Sequence, residues 1–305
     1  MIQFNVKKGI FGKSSKIRNR DGLWGLVFLA PITIGMALFV LFPIIYAVYI
    51  SFHKYDLFNA PKYVGVYYYK RLFNTAVETQ FWQSLENIAI FAIILTILSV
   101  AVGLVLASIL TRTKRGGGVF KAIFYIPMIC SVVATTSIWS WMYNDAYGPI
   151  AKMLAYLGFK DYKFFAPAHV MPSMIFMCLW GGFGGAMLLY FAGLKNIPND
   201  LYEAASIDGA SQITAFFRIT VPMVSPTTFY LLLTGLIGNL QAYSQFLSIG
   251  LVGYTPVLII YSYAGHGNGL VFGYASAMGV FYGLMVGFIA FLNFKLSKYW
   301  VGYDV

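Results

Sequence analysis

The sequence predicts an all-α integral membrane protein with six transmembrane helices and both termini on one side. Three observations carry this. Of 305 residues, 59% are hydrophobic and only 10% charged, where a soluble domain carries about 25% charged residues. Six apolar runs, each long enough for the roughly 20 helical residues that cross a hydrocarbon core, follow one another along the chain. The basic residues cluster at the ends of those runs and not along a polar face, so the surplus of 21 Lys and Arg over 10 Asp and Glu points to membrane flanks and away from nucleic acid.

Residues 1–22 form a basic N-terminal segment, with Lys7, Lys8, Lys13, Lys16, Arg18 and Arg20 against Asp21. The apolar run after it is too long for a cleavable signal peptide and lacks a small-residue cleavage site. Spans are expected at about 23–52, 87–110, 119–142, 171–194, 223–249 and 271–294, within one domain over 23–298. Pro31 and Pro43 are expected kinks in the first, and Pro127 is expected to interrupt the third. Residues 53–83 read as a polar, aromatic loop and residues 143–168 as a loop with an amphipathic piece around Ile150 to Leu157; residues 299–305 form a tail. Cys130 and Cys178 fall inside apolar stretches and read as core thiols. His53, His169 and His266 lie near span ends or in loops, and no His, Cys or carboxylate cluster has metal-ligand spacing.

Charge orients the bundle. With the N-terminus inside, the inner segments hold 14 Lys and Arg and the outer loops 7, while the acids split evenly. The positive-inside rule then puts both termini, and the segment between the fourth and fifth spans, in the cytoplasm.

That segment, 199–222, is neither apolar enough to span nor loose enough to be a linker. Asp200 followed by Glu203 resembles a capping box, predicting a helix over Leu201 to Asp208. Gly209 suits the left-handed conformation that ends a helix, and Ser211 suits the cap of a second one carrying Phe216, Phe217 and Ile219. Ala204, Ala205 and Ala210 would let another backbone approach. The shape is that of a docking element or of an ordinary helix–turn–helix connector.

The order Glu203-Ala204-Ala205, Gly209, Ile219, Val221, Pro222 resembles the EAA loop of ABC importer permeases. With Asp208, Gly209, Ala210 and Phe217 added, it is similar to the carbohydrate branch, the maltose-type and glycerol-phosphate-type permeases; Val221 stands where that family usually has Leu. Val64-Gly65, Tyr68 and Leu72-Phe73 in the outer loop, and Gly273 to Ala277 at the last span, resemble the same branch. The resemblance implies a type I importer fold in a prokaryotic cytoplasmic membrane and import of a carbohydrate, an oligosaccharide. It also implies partners: a second, homologous permease, two ATP-binding subunits that carry ATP and Mg, and an extracytoplasmic solute-binding protein. No cofactor and no catalytic activity are expected in this chain, with Glu203 and Gly209 expected to transmit motion from the ATPases.

The residues themselves speak to the energy source. No Asp, Glu, Lys, Arg or His lies well inside any expected span; Glu86 and Lys121 sit at ends. This argues against a proton relay, although sodium coordination by backbone and hydroxyl oxygens stays open. There is no Gly-x-x-x-x-Gly-Lys-Ser/Thr loop to cradle ATP, so ATP energy would have to come from another subunit. The alternatives are an ion-coupled secondary sugar carrier, and a membrane enzyme, which would need clustered nucleophiles or carboxylates where only scattered residues such as Asp145 and Asp161 occur.

A sugar pathway needs amides, hydroxyls and aromatic faces, because burying sugar hydroxyls unpaired is costly. Asn239, Gln241, Tyr243, Ser244 and Gln245 form a polar run that would either contact substrate or tie helices together. The resemblance places Asn239 at a sugar-site position. Other such positions hold Gly182, Gly185, Gly238 and Ala242, so either the pocket would be wider or contacts would move to Trp180, Gln241 or Tyr243. The glycines at 181–185 read as close helix packing.

Overall fold

The structure, a computed structural model, describes residues 14–74, 78–113, 116–159, 162–265 and 271–302. Residues 1–13 of the basic segment, Lys114, Arg115, Lys160, Asp161, His266 and residues 303–305 of the tail lie outside the described residues.

The chain opens with one long rod. Helix α1 (Ser14–Met36) runs through Pro31 into a π turn (Ala37–Leu41) and on into α2 (Phe42–Ile50). The Phe42 N–H reaches back five residues to the Ala37 carbonyl. Pro43 has no N–H to give, and the wider turn just before it absorbs that gap in the ladder. A short hairpin, β1 (His53–Lys54) against β2 (Lys62–Tyr63), and α3 (Tyr67–Leu72) follow. In the hairpin turn the Asp56 carboxylate accepts from the Phe58 and Asn59 N–H groups and from the Asn59 amide, whose hydrogen bond holds the carboxyl below its usual range.

Helix α4 (Thr79–Arg112) starts well before the expected Asn87, because Phe81 and Leu85 already point into the core. The third expected span is two helices, α5 (Gly117–Ile129) and α6 (Val132–Met142), meeting at 98°. The break lies at Cys130 and Ser131, which take extended backbone, and not at Pro127, which sits buried inside α5. Proline costs the ladder one bond, and α5 ends within a turn of it. Amphipathic α7 (Pro149–Tyr156) and the long α8 (Val170–Leu194) come next.

Beyond α8, the segment of interest forms α9 (Asn199–Ile207), α10 (Gln212–Ala215), a second π turn (Phe216–Thr220) and α11 (Val221–Met223). Helix α12 (Ser225–Leu240) leaves it at 65°. The expected fifth span, 223–249, is therefore corrected. The helix stops at Leu240, whose carbonyl accepts from the Tyr282 hydroxyl, and residues 241–243 are not helical. Helix α13 (Ser244–Ile249), a 3₁₀ turn (Val252–Tyr254), α14 (Pro256–Tyr263) and α15 (Phe272–Ser297) complete the chain.

Among the described residues, four helical stretches are long and apolar enough to cross a membrane: Trp24–Ile50, Thr79–Thr111, Val170–Leu194 and Phe272–Ser297. Counting each bent pair as one crossing gives six. The α4 and α8 helices form the spine. One core cluster, around Phe81, Phe91, Met174, Phe246 and Tyr274, fills the end near the hairpin. A second, around Ala107, Met187, Tyr190, Leu194 and Val224, fills the end that carries α9–α11. From Trp24 to Tyr49 the first rod is exposed along nearly its whole length, which costs little where lipid is the solvent.

Candidate coupling segment and translocation cavity

Local chemistry shapes the 199–222 segment. Pro198, in extended backbone, stands at the N-cap, so Asp200 lies inside the first turn and makes no capping box with Glu203. Its carboxylate instead sits by the positive end of the helix dipole. At the far end Gly209 takes φ +74°, the Gly209 N–H bonds the Ser206 carbonyl, and the Ala210 N–H bonds the Ala205 carbonyl at 2.9 Å. This is a Schellman termination, which favours glycine at that position. The Ser211 hydroxyl then accepts from the Thr214 N–H at 3.2 Å and starts α10. Pro222 lies just past the second π turn, where the Val221 N–H reaches the Phe216 carbonyl. The offset from turn to proline repeats that at Pro43.

The segment has two faces. Inward, Tyr202, Ile219 and Met223 pack on the second core cluster, and the Tyr202 and Thr220 hydroxyls share a hydrogen bond of 2.9 Å. Outward, Leu201, Ile207, Ile213 and Phe217 are exposed at 41%, 86%, 72% and 64%. Glu203, Ala204, Asp208 and Pro222 are exposed beside them, and Glu203 makes no ion pair among the described residues. The three alanines divide: Ala205 and Ala210 line a hollow of about 410 Å³ between the segment and the ends of α4 and α8, with Ser108, Thr111 and Tyr202.

Halfway along the bundle a second cavity, of about 430 Å³, opens between α4, α5, α6, α8 and α12. Its polar lining is Thr96, Ser99, Thr135, Thr136, Thr234, Asn239 and Gln245, with Tyr230 and two cysteines and, among the described residues, no acidic or basic side chain. Asn239 is the expected pathway residue that lines it, and its amide donates to the Thr96 hydroxyl at 2.9 Å. It both faces the cavity and ties α12 to α4. Gln241 and Tyr243 lie in the break after α12, outside this lining, and Trp180 packs edge-on against Trp139 at 5.9 Å. The glycines of α8 serve close approach: a Cβ on Gly184 would run into the Phe124 carbonyl oxygen of α5, and one on Gly182 would sit 2.8 Å from the Ser99 hydroxyl.

At the hairpin end lies a group that loop chemistry did not foretell. Glu78, 4% exposed, accepts from Arg71 Nε at 3.0 Å and from the Tyr263 hydroxyl at 3.3 Å. The Arg71 guanidinium also stacks 4.5 Å from the Tyr274 ring centre. Burial opposes its charge, but the hydrogen bond and charge of Glu78 outweigh burial and hold Arg71 above its ordinary range. This is the one ion pair among the described residues, and it joins α3, α14 and α15 to the start of α4.

A many-span bundle with an uncharged central cavity and a helix pair projecting from one end has the form of a transport permease. The family described as "Binding-protein-dependent transport system inner membrane component" matches residues 99–298. The chain is 32% identical over 300 residues to the "Probable ABC transporter permease protein YesP" of Bacillus subtilis (strain 168), covering 96% of each. It is 30% identical over 232 residues to the "Trehalose/maltose transport system permease protein MalF" of Thermococcus litoralis, covering 75% of this chain and 78% of that one. Its fold is similar to that of a chain in a bacterial ABC transporter involved in importing the acidic polysaccharide alginate, with TM-score 0.76 at 21% identity over 93% of this chain and 97% of that one. The protein is therefore a permease of the ABC transporter class. It belongs to the family of inner membrane components of binding-protein-dependent transport systems.

Proposed function

We propose that this chain is one permease of a carbohydrate importer, paired with a second, homologous permease and driven by two ATP-binding subunits that hold ATP and Mg. An extracytoplasmic solute-binding protein would hand the sugar to the hairpin end. The observation that carries the reading is the 199–222 segment, held to the bundle by its inner face and presenting Glu203, without an ion pair among the described residues, beside exposed Leu201, Ile207, Ile213 and Phe217. Closure of the ATPases moves the segment as a rigid lever, with Glu203 making polar contact in the partner's groove and Gly209 fixing the bend. The sugar is neutral, since the cavity offers hydroxyls and amides without a charged side chain. The relatives include transporters of trehalose and maltose and of arabinooligosaccharides, which supports a sugar of more than one unit.

The test is a gentle detergent pull-down of the chain from its native membrane, followed by mass spectrometry. An ATP-binding protein and a second permease are expected, both lost on Glu203→Arg. A chain recovered alone and active in ATP-free vesicles would overturn the reading. So would unchanged assembly and transport in Glu203→Arg and Gly209→Val.

A further inference from the structure

We infer that the hollow of about 410 Å³ at the coupling end is a binding site for a small, neutral polyhydroxy molecule of the sugar class. Three helix faces converge on it. Ser108 and Thr111, one turn apart, line it from α4. Asn199, Tyr202 and Ser206 line it from α9, at the spacing that puts residues on one face of a helix. Gln212, Phe216 and Thr220, each four residues on from the last, line it from α10 and its π turn. The volume falls in the range of roughly 300–1,000 Å³ that small-molecule pockets occupy.

The lining chooses the ligand. Leu194, Ile197 and Ala215 are buried and make an apolar floor, whereas Thr111, Asn199 and Ser206 are exposed and leave the rim open to solvent. The Ser108 and Thr111 hydroxyls donate to carbonyls of their own helix, at 2.8 and 2.7 Å, and so meet a ligand as acceptors. The Asn199 amide and the Ser206 hydroxyl have no hydrogen-bond partner among the described residues and add donors. Tyr202 and Phe216, both half-buried, supply aromatic surface. Hydroxyls matched by amides and hydroxyls, with rings for the apolar faces, are what a sugar requires. Among the described residues no charged side chain lines the hollow; Asp200, Glu203, Asp208 and Arg218 all stand outside the lining. A phosphate or an amino acid finds no counter-charge there, and an acyl chain would strand the polar groups. A molecule bound across the hollow ties α9 to α4. That such a tie brakes transport rests on the importer reading above; the binding itself does not.

The experiment follows deuterium uptake of a peptide spanning 199–212 in the full chain, held in phosphatidylcholine nanodiscs, with maltose or trehalose titrated into the millimolar range. Neither ATP nor a partner subunit is present, so failure here is separate from failure of the importer reading. Exchange is expected to slow about three- to ten-fold at saturation with at least one of the two sugars. Thr111→Val keeps the shape of the side chain, removes its acceptor and is expected to raise the apparent Kd about two- to ten-fold. Ser206→Trp, which sets an indole at the exposed rim, is expected to abolish the protection. Asn239→Ala, in the central cavity, is expected to leave it intact. Unchanged exchange with both sugars in the wild type would overturn the inference and leave the hollow to water. So would protection that survives Ser206→Trp, or that is lost in Asn239→Ala, which would put the sugar in the central cavity. Equal protection by millimolar inorganic phosphate would overturn the neutral class of ligand.

Discussion

Replacing Gly209 by alanine isolates the backbone geometry of the coupling segment. A Cβ at this position meets nothing within 4 Å, so no steric clash complicates the result. What remains is φ +74°, which costs a non-glycine residue about 1–2 kcal/mol. That cost falls on the Schellman bonds from the Gly209 and Ala210 N–H groups to Ser206 and Ala205. If it is borne by local opening, the two amides should exchange with deuterium about 5–30-fold faster in Gly209→Ala than in the wild type. Asparagine tolerates the left-handed region, so Gly209→Asn should recover most of the protection. The assay is hydrogen exchange of a peptide spanning 205–215, read beside ATP-coupled uptake. Equal exchange in all three proteins would refute the claim that the glycine fixes the bend. Wild-type uptake in Gly209→Ala despite faster exchange would show that the bend is not what transmits motion.

Three further outcomes follow from the packing. Glu78→Gln should destabilise the protein by about 1–2 kcal/mol, less than for a fully buried pair because Arg71 is 34% exposed, read as a lower melting temperature in detergent. Gly184→Ala should cost about 1–3 kcal/mol by forcing α5 off α8 at the Phe124 carbonyl, whereas Gly185→Ala meets only the flexible end of Met128 and should spare stability while narrowing the cavity; matched melting curves for the two would contradict this. Thr96→Val and Asn239→Ala both remove the bond between α4 and α12, worth about 0.6 kcal/mol in a membrane bundle. Uptake that falls further in Asn239→Ala than in Thr96→Val assigns Asn239 to the substrate, and an equal fall assigns it to helix tying.

What could be read from sequence was what short-range chemistry decides. Gly209 and Ser211 bend and cap the coupling segment through bonds that reach no further than the neighbouring turns, so residue type was enough. The Asp200–Glu203 capping box was misread because Pro198 already occupies the N-cap. Apolar runs located the crossings but carried no direction, so the 98° turn at Cys130–Ser131 and the stop at Leu240 stayed hidden. No local signal marks Glu78, because its Tyr263 partner lies 185 residues along the chain. Trp180, Gln241 and Tyr243 have the chemistry a sugar wants, but where helices turn is a matter of tertiary contact, and these three turn elsewhere.

The hollow of about 410 Å³ behind α9 and α10 bears on how the proposed lever would pull on the bundle. A segment fastened on all sides would drag α4 with it. Here the space separates α9 from the end of α4, while the Tyr202–Thr220 bond fastens it to the π turn that leads into α12. In the lever proposed above, a push on α9 would reach α12 through this bond more directly than it would reach α4 across the hollow. The Asn239–Thr96 bond ties those same two helices together at the wall of the central cavity. In the proposed importer, a stroke begun at an ATP-binding partner would thus arrive at the wall of the central cavity by way of α12.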